Sequence, residues 1–255
     1  MPAAATLSSA DAVLPLRERY RAEMNCQIVH DSIHTRRGWT LTYALTIGAD
    51  VAGFAGVAIG GPWSGRPTIF ELYVTPAHRL RAFDLFEALL ASSAATHMEI
   101  QSNDLLLAVM LHTYARDIAS EKIVFRDHAV TTLPAGGVTL RQVTTPEETR
   151  ACIEERAGGT DWVLELDGSA VAKGGILFHY NVPYGDIYME VNEGYRRRGL
   201  GAYLVQELKR IAYELGSVPA ARCSPDNIPS RKTLQKAGLI PYAHILNGTI
   251  VPRSA

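Results

Sequence analysis

Apolar and polar residues follow the same order of predicted elements in two stretches of the chain. In each stretch, two adjacent strands precede a strand that ends in a polar turn, and a helix, another strand and a second helix follow. Alternation of apolar and polar residues is typical of half-buried strands, whereas apolar residues at helical spacing indicate an amphipathic helix. The repeated order therefore predicts two related units.

The first unit is predicted between residues 41 and 115. A turn at Gly48-Ala49-Asp50 lies between two apolar runs, as in a hairpin, and Phe83, Phe86 and Leu90 share one stripe of a predicted helix. Met1–Ala12 lacks the basic start and long apolar run of a signal peptide, which predicts a loose tail. The predicted elements are strands at Leu41–Leu45, Val51–Ile59 and Thr68–Val74, a helix at about Ala77–Ala94, a strand near His97–Gln101 and a helix near Asp104–Ala115.

The second unit is predicted to follow the linker Leu133–Gly137, which is rich in proline and glycine. We therefore expect one domain at residues 1–134 and another at residues 135–255. The predicted elements are a strand at Val138–Val143, a short helix near Glu147–Glu155, hairpin strands at Asp161–Leu166 and Ser169–Tyr180, a strand at Asp186–Val191, a helix from Gly199, a strand at Ala220–Ser224 and a helix at about Pro229–Ala237.

The composition is that of a globular protein with no strong overall charge. Hydrophobic residues make up 47% of the chain and charged residues 20%, and the formal net charge is −1. This balance gives no field that would attract nucleic acid or an acidic membrane, so we expect neither partner. Without an apolar run long enough to cross a bilayer, a cytoplasmic protein is expected. The three cysteines, Cys26, Cys152 and Cys223, are too far apart for a metal knuckle and are expected to be free thiols; no metal is expected.

A candidate anion-binding turn follows the strand at Asp186–Val191. Arg196-Arg197-Arg198-Gly199-Leu200-Gly201 opens an amphipathic helix, whose first N–H groups have no intrahelical acceptor. The helix dipole adds about half a positive charge there, glycines admit a close approach, and the arginines supply counter-charge. A dinucleotide fingerprint would need a third glycine at Leu204, and a nucleoside-triphosphate loop would need Gly-Lys-Ser/Thr, so this turn fits neither.

Val191–Lys209 together with Ala220–Leu239 resembles the central motif of the GNAT superfamily of N-acetyltransferases. The likeness lies in the order of a strand, an Arg-x-x-Gly-x-Gly turn, an amphipathic helix, a strand followed by Asn227 and Ser230, and a helix that ends Lys236-Ala237-Gly238-Leu239. The resemblance implies an α+β fold: two GNAT-like units, each a mixed, mostly antiparallel and splayed sheet flanked by helices. It also implies that acetyl-CoA is the co-substrate. The residues that would bind it are Met189, Val191, Arg196, Arg197, Arg198, Gly199, Leu200, Gly201, Ala202, Asn227 and Ser230.

Few side chains are needed for amine acetylation, because proximity in a ternary complex supplies much of the acceleration. Glu190 and Asp186 are the nearest carboxylates and lie on one face of their strand; Glu190 is either the base or a partner for an arginine. Leu234 stands where many family members have a tyrosine that protonates the leaving thiolate. That departure leaves Ser230, Tyr184, Tyr242 or solvent as the acid, and Cys223 as an alternative acyl-carrying nucleophile. His179 and Tyr180, at the end of the preceding strand, are candidates for the acceptor side.

The first unit resembles a degenerate GNAT unit. Aligning Val74 with Val191 sets Ala82 against Gly199 and Asp84 against Gly201, so a carboxylate and added Cβ atoms occupy the expected phosphate site. This unit is expected to be a structural partner, with a remnant pocket near Glu71, Tyr73 and Gln101-Ser102-Asn103 as the alternative.

The resemblance implies an acetyl-CoA-dependent N-acetyltransferase that acts on a small-molecule or peptide amine. An idle CoA-binding or ligand-sensing module is the alternative, and a peptide-binding scaffold without a cofactor is a third. The acceptor itself and the oligomeric state, monomer or homodimer, stay open because the sequence does not fix the loops that would line these surfaces.

Overall fold

The computed structural model describes residues 1–25, 31–143 and 159–251, which form two compact units. Among these residues, the first unit contains 1–25, 31–121 and 244–251, and the second contains 122–143 and 159–243. The division falls inside two long strands, β6 (Ala115–Asp127) and β12 (Leu239–Ile250). Each unit has a mostly antiparallel sheet flanked by helices, which confirms the mixed α+β fold class.

In the first unit, the order of strands in the sheet is β1-β2-β3-β4-β5-β12. The pairs are antiparallel except for β4 and β5, which run parallel and are paired at Thr68–His97 and Ile69–Met98. Its strands and helices are β1 (Ala3–Ser8), α1 (Leu14–Met24), β2 (Thr40–Ile47), β3 (Asp50–Ala58), β4 (Thr68–Val74), α2 (Ala82–Ser92), β5 (His97–Gln101) and α3 (Leu105–Tyr114).

Two expectations for the first unit were wrong. Ala3–Ser8 is not a loose tail but strand β1, which pairs antiparallel with β2 and buries Ala5. The helix expected from Ala77 begins at Ala82, because Pro76–Arg81 forms a 3₁₀ segment. This later start places Ala82, Leu85, Phe86 and Leu89 in the core, and Phe83 is 49% exposed.

In the second unit, the strand order is β7-β8-β9-β10-β11-β6, and β10 and β11 form its parallel pair. Asp167-Gly168 closes the β8–β9 hairpin, as expected. The expected helix at Glu147–Glu155, like Cys26 and Cys152, lies outside the described residues. The remaining elements are β7 (Thr139–Gln142), β8 (Gly159–Leu166), β9 (Ser169–Leu177), β10 (Tyr184–Val191), α4 (Leu200–Glu214), β11 (Val218–Cys223) and α5 (Ile228–Lys236).

Helix α4 packs on the sheet of the second unit through the stripe expected from the sequence. Leu204, Val205 and Leu208 are fully buried, and Ala212 continues the stripe. The stripe ends before Leu215, which is half exposed. Removing this apolar face from water stabilises the helix far more than its intrinsic propensity does. The packing fixes the start of α4 against the end of β10.

The parallel strands β10 and β11 separate toward their carboxyl ends. Their pairing runs from Tyr184–Val218 to Ile187–Ala221, after which β10 continues to Val191 and β11 pairs on its other side with β6. The sheet therefore opens into a wedge that begins beyond Ile187. This opening is the splay that the family resemblance implied.

Candidate active site

The turn between β10 and α4 leaves the first backbone N–H groups of the helix without intrahelical acceptors. Arg197 and Gly199 both have left-handed backbone conformations, with φ of 62° and 85°, and Gly199 is the N-cap of α4. The first intrahelical bond of this end joins the Tyr203 N–H to the Gly199 carbonyl at 3.1 Å. The N–H groups of Leu200, Gly201 and Ala202 therefore have no acceptor within the helix. With the helix dipole, they form an anion site beside an exposed turn.

The two glycines of the turn serve different purposes. Gly199 adopts a φ that other residues rarely accept, and a Cβ there would meet nothing closer than the Lys236 Nζ atom at 3.8 Å. A Cβ on Gly201 would lie 3.2 Å from Thr233, 3.3 Å from Val191 and 3.4 Å from Met189. Gly201 thus allows α4 to pack against β10 and α5, whereas Gly199 shapes the exposed turn.

The cations beside the turn are not equivalent. The Nε atom of Arg196 donates to the Val191 carbonyl at 3.1 Å and so holds the turn against the strand. Arg198 lies over the ring of Tyr195, with 5.2 Å from its guanidinium carbon to the ring centroid. Lys236, on α5, places its ammonium group beside Gly199. Arg197, Arg198 and Lys236 are exposed and can neutralise a phosphate. Lys236 belongs to the α5 ending that suggested the family, but its position beside the turn was not expected.

Asn227 and Ser230 lie at the start of α5. The Asn227 Oδ1 atom caps this helix by accepting from the Ser230 N–H at 3.0 Å, so its amide nitrogen is the donor that remains for a ligand. The Ser230 side chain hydrogen-bonds to Cys223. Six residues along α5 separate Asn227 from Thr233, the neighbour of Gly201, which corresponds to about 9 Å. Both residues therefore belong to the α5 side of the wedge.

A buried polar cluster lies near the closed end of the wedge. Asp186 directly precedes Ile187, the last residue of β10 that is paired with β11, and is 4% exposed. Its Oδ2 atom accepts from the Arg222 Nε at 3.2 Å and lies 3.5 Å from the His179 Nε2. Its Oδ1 atom is buried without a hydrogen-bond partner among the described residues. Arg222 also lies over the ring of Tyr180, with 4.9 Å from its guanidinium carbon to the ring centroid, so four side chains converge here.

This cluster occupies the face of the sheet opposite α4. Ile187, Met189 and Val191 pack against the apolar core that α4 contributes, and strand alternation turns Asp186 to the other face. On β11, Ala221 and Cys223 belong to the same core, and Arg222 alternates with them. The sequence predicted that Asp186 and Glu190 share one face of their strand. It did not indicate the contact between Asp186 and Arg222, which is 36 residues away.

The three predicted catalytic residues lie at the two ends of β10 and on α5. Glu190 is 61% exposed and forms an ion pair with Lys173 at 3.3 Å, which is the partner role considered for it except that the cation is a lysine. Tyr184 begins β10, so it lies about 23 Å along the strand from Val191. Ser230 lies on α5, against Cys223. Of the carboxylates on β10, Asp186 is the one buried beside the closed end of the wedge.

Cys223 and Leu234 are core residues. Cys223 is 6% exposed, and burial raises the pKa of its thiol, which opposes formation of the thiolate needed in an acyl-carrying nucleophile. Leu234 is 4% exposed and packs in the same core. Tyr242, the remaining candidate acid, is partly exposed with the Arg126 guanidinium over its ring.

The first unit repeats the strand and turn without the anion site. Arg79 donates from Nε to the Val74 carbonyl at 3.4 Å, which matches the bond from Arg196 to Val191 and supports the alignment of the two turns. Asp84 then brings its own carboxylate to the first turn of α2, where it pairs with Arg81. The positive end of this helix is already compensated, which disfavours a phosphate there.

Comparison with known proteins identifies the second unit. Residues 130–239 match the model of the acetyltransferase (GNAT) family. No significant match was found among curated proteins. The family supports a general acyltransferase or acetyltransferase function for this chain.

Solved structures with the same fold extend over nearly the whole chain. An acetyltransferase of the GNAT family from Colwellia psychrerythraea aligns with a TM-score of 0.72 at 13% identity, covering 97% of this chain and 99% of that one. A tandem GNAT protein from the clavulanic acid biosynthesis pathway aligns with a TM-score of 0.63 at 16% identity, covering 99% and 100%. A GCN5-related N-acetyltransferase from Sphaerobacter thermophilus gives 0.59 at 16% identity, covering 98% and 96%. These structures share the fold of this chain, and the family match of residues 130–239 agrees with the sequence resemblance.

In the described part of the chain, none of the helices has the length and apolar character needed to span a membrane. Residues 1–25, 31–143 and 159–251 contain no group of three or more His, Cys, Asp or Glu side chains arranged to hold a metal ion.

Proposed function

We propose that this protein transfers an acetyl group from acetyl-CoA to a primary amine on a small molecule or peptide, by direct attack within a ternary complex. The observation that carries the proposal is the continuity of the wedge with the anion site. The gap that begins beyond Ile187 leads along β10 toward the start of α4, where the N–H groups of residues 200–202 have no acceptor within the helix. An extended thiol arm with a diphosphate at one end has this shape.

The residues around the wedge suit the parts of acetyl-CoA. Arg197, Arg198 and Lys236 would neutralise the phosphates, while the helix N–H groups bind them. Backbone groups of Met189 and Val191 would pair with the arm, as an added strand does, and the Asn227 amide would donate to it. Because β10 and β11 are paired up to Ile187, we expect the arm to end near that residue, with the thioester close to Asp186.

Asp186 is our candidate for the group that handles the proton of the acceptor amine. Its buried carboxylate attracts an ammonium group, and its Oδ1 atom, which has no hydrogen-bond partner among the described residues, can accept a proton from that group and so free the nitrogen lone pair. The neutral amine then attacks the carbonyl carbon and loses its second proton as the amide forms. Arg222 and His179 hold the carboxylate in place. The carbon–sulfur bond then breaks, and the thiolate takes up a proton. Glu190, Tyr184 and Ser230 stay candidates from the sequence for the base and acid.

A catalytically idle CoA-binding module is the second candidate, because Leu234 replaces the usual acid and is buried. Calorimetry with acetyl-CoA, followed by thiol release across a panel of amines, separates the two. Binding with amine-dependent thiol release supports the enzyme. Binding without release from any amine supports the idle module, and no binding contradicts both.

A further inference from the structure

The first unit contains a cavity in the gap between β4 and β5. These strands are paired at Thr68 and Ile69 and then separate, as β10 and β11 do in the second unit. The space has a volume of about 280 Å³, which is enough for a small organic molecule. Its walls are formed by α1, the end of β4 and the start of α3. Buried Leu72, Tyr73 and Val74 line it on one side.

The cavity has no means of holding a phosphate. Asp84 occupies the first turn of α2 with its own carboxylate, and Arg79, which lines the cavity, already pairs with Glu23 and with the Val74 carbonyl. A ligand for this space therefore differs from the diphosphate cofactor expected in the second unit. Its chemistry must be determined by the groups inside the cavity.

Among the polar groups that line the cavity is the buried carboxylate of Asp104. It is 6% exposed, accepts from the Tyr20 hydroxyl at 3.0 Å and caps α3 by accepting from the Leu107 N–H at 3.0 Å. Two other carboxylates near it have cationic partners: Glu71 lies 3.7 Å from Arg17, and Glu23 pairs with an arginine. Within the described ranges, Asp104 is not ion-paired with any cationic side chain.

We propose that this cavity binds a small organic cation: an ammonium group held by Asp104, with a short apolar body against Leu72 and Val74. Both the buried carboxylate, which lacks a cationic side-chain partner among the described residues, and the apolar wall favour this class over an anion or a neutral polar molecule. Tyr20 and Tyr73 add aromatic rings, which attract cations. Such a site would let the first unit respond to amines independently of catalysis.

Butylammonium is the probe, and butanol is its uncharged match. Calorimetry on the full chain without acetyl-CoA should show saturable binding of butylammonium and at least tenfold weaker binding of butanol. Asp104→Asn keeps the helix cap, since Asn caps as well as Asp, but removes the charge; it should weaken butylammonium binding at least tenfold. Asp84→Asn, which removes an exposed acid of the same unit, should leave the affinity unchanged. Equal affinity in wild type and Asp104→Asn would overturn the proposal, as would equal binding of butanol.

Two further measurements make the result independent of any one variant. Asp186→Asn removes any amine binding at the acceptor site of the second unit, and the binding that depends on Asp104 should persist in this variant. If Asp186→Asn alone abolishes butylammonium binding, the amine occupies the second unit and the proposal is wrong. In wild type, affinity should fall severalfold from pH 7.5 to pH 5, as Asp104 becomes protonated while the amine stays charged. The ionisable groups facing Asp104 are Tyr20 and Glu23 of α1, Glu71 and Tyr73 of β4, and Arg79. An affinity that does not change with pH would contradict the proposal. These experiments involve no turnover, so they are separate from the proposed acetyl transfer.

Discussion

Arg197 provides the most specific test of the turn at the level of a single residue. Its left-handed backbone is tolerated well by Asn and Asp, so Arg197→Asp changes the charge at the anion site while keeping the turn. We expect the Kd for acetyl-CoA to rise by about tenfold or more, equivalent to ~1.4 kcal/mol, and Arg197→Asn to have a smaller effect. Calorimetry at low and moderate salt measures both. Equal affinity of Arg197→Asp and wild type would contradict the phosphate assignment.

Substitutions of Asp186 and Glu190 are expected to have different effects on turnover of the acceptor amine. Because Asp186 is buried at the closed end of the wedge, Asp186→Asn should lower kcat/KM by about a hundredfold while changing the Kd for acetyl-CoA little. Glu190 is exposed and paired with Lys173, so Glu190→Gln should be close to wild type. Steady-state thiol release with the best amine of the panel measures both. Loss of activity in Glu190→Gln alone would restore Glu190 as the base.

Asp104 should make stability depend on pH. Burial and the nearby carboxylates Glu71 and Glu23 raise the pKa of Asp104 from 3.8 to about 6. The folded state therefore holds this proton more tightly than the unfolded state. The stability gained from the neutral acid is present below about pH 4 and is lost as pH rises toward 6. Asp104→Asn should thus be more stable than wild type at pH 7.5, by up to about 3 kcal/mol. Urea unfolding at pH 7.5 tests this, and a destabilised variant would contradict it.

Single residues were predicted from the sequence where a local motif identifies them. Gly199 and the arginines lie in one turn, and spacing alone places them at a helix start. The cluster of Asp186, Arg222 and His179 was not predicted, since it depends on strand pairing rather than on neighbours in sequence. Gly201 was expected to let a phosphate approach the turn, but the structure shows that it lets α4 pack against its neighbours. A glycine in the sequence is compatible with either role, so the sequence could not distinguish them.

Helix α4 is anchored by a buried lysine that lies off its apolar stripe. Lys209 is 5% exposed; its ammonium donates to the carbonyls of Ala129 and Ala237 at 2.7 and 2.8 Å and lies 2.5 Å from Asp127. It therefore joins α4 to the end of α5 and to the residues after β6. A polar residue off the apolar stripe is normally exposed, so periodicity could not predict this contact.

Lys209→Met keeps the length of the side chain and removes its charge. The carboxylate of Asp127, which is 11% exposed in its side chain, would then lose its buried partner. We expect the free energy of unfolding to fall by about 3–5 kcal/mol. Lys232→Met, at an exposed position of α5, should lie within about 0.5 kcal/mol of wild type. Chemical denaturation compares the two, and equal stability would show that Lys209 is not a structural anchor.

Elements were predicted well where a glycine-containing turn marks their ends, and poorly where they form by pairing with a strand that is distant in sequence. The hairpins at β2–β3 and β8–β9 have turns that contain Gly48 and Gly168, and their strands lie where expected. Strands β1, β6 and β12 were missed, because each is stabilised by pairing with a strand far away in sequence, β2, β11 and β5 respectively. Long-range pairing leaves little trace in a local pattern.

At the scale of the whole molecule, the sequence order already indicated a duplicated unit. Both units have a parallel strand pair that separates, and both hold their turn with an arginine that binds the last valine of the strand. They differ in the helix that follows: α4 has unoccupied N–H groups, whereas α2 has Asp84. One wedge is therefore suited to a phosphate-bearing cofactor, and the other is suited to a smaller ligand.

Backbone amide NMR of the full chain tests the central claim most directly. Titration with CoA should shift the amide signals of residues 197–202 in a saturable manner and leave those of α2, around Asp84, unchanged. Pantetheine, which lacks the diphosphate, should leave the signals of residues 197–202 nearly unmoved. Saturable CoA binding that shifts other amides while residues 197–202 stay unchanged would contradict the account.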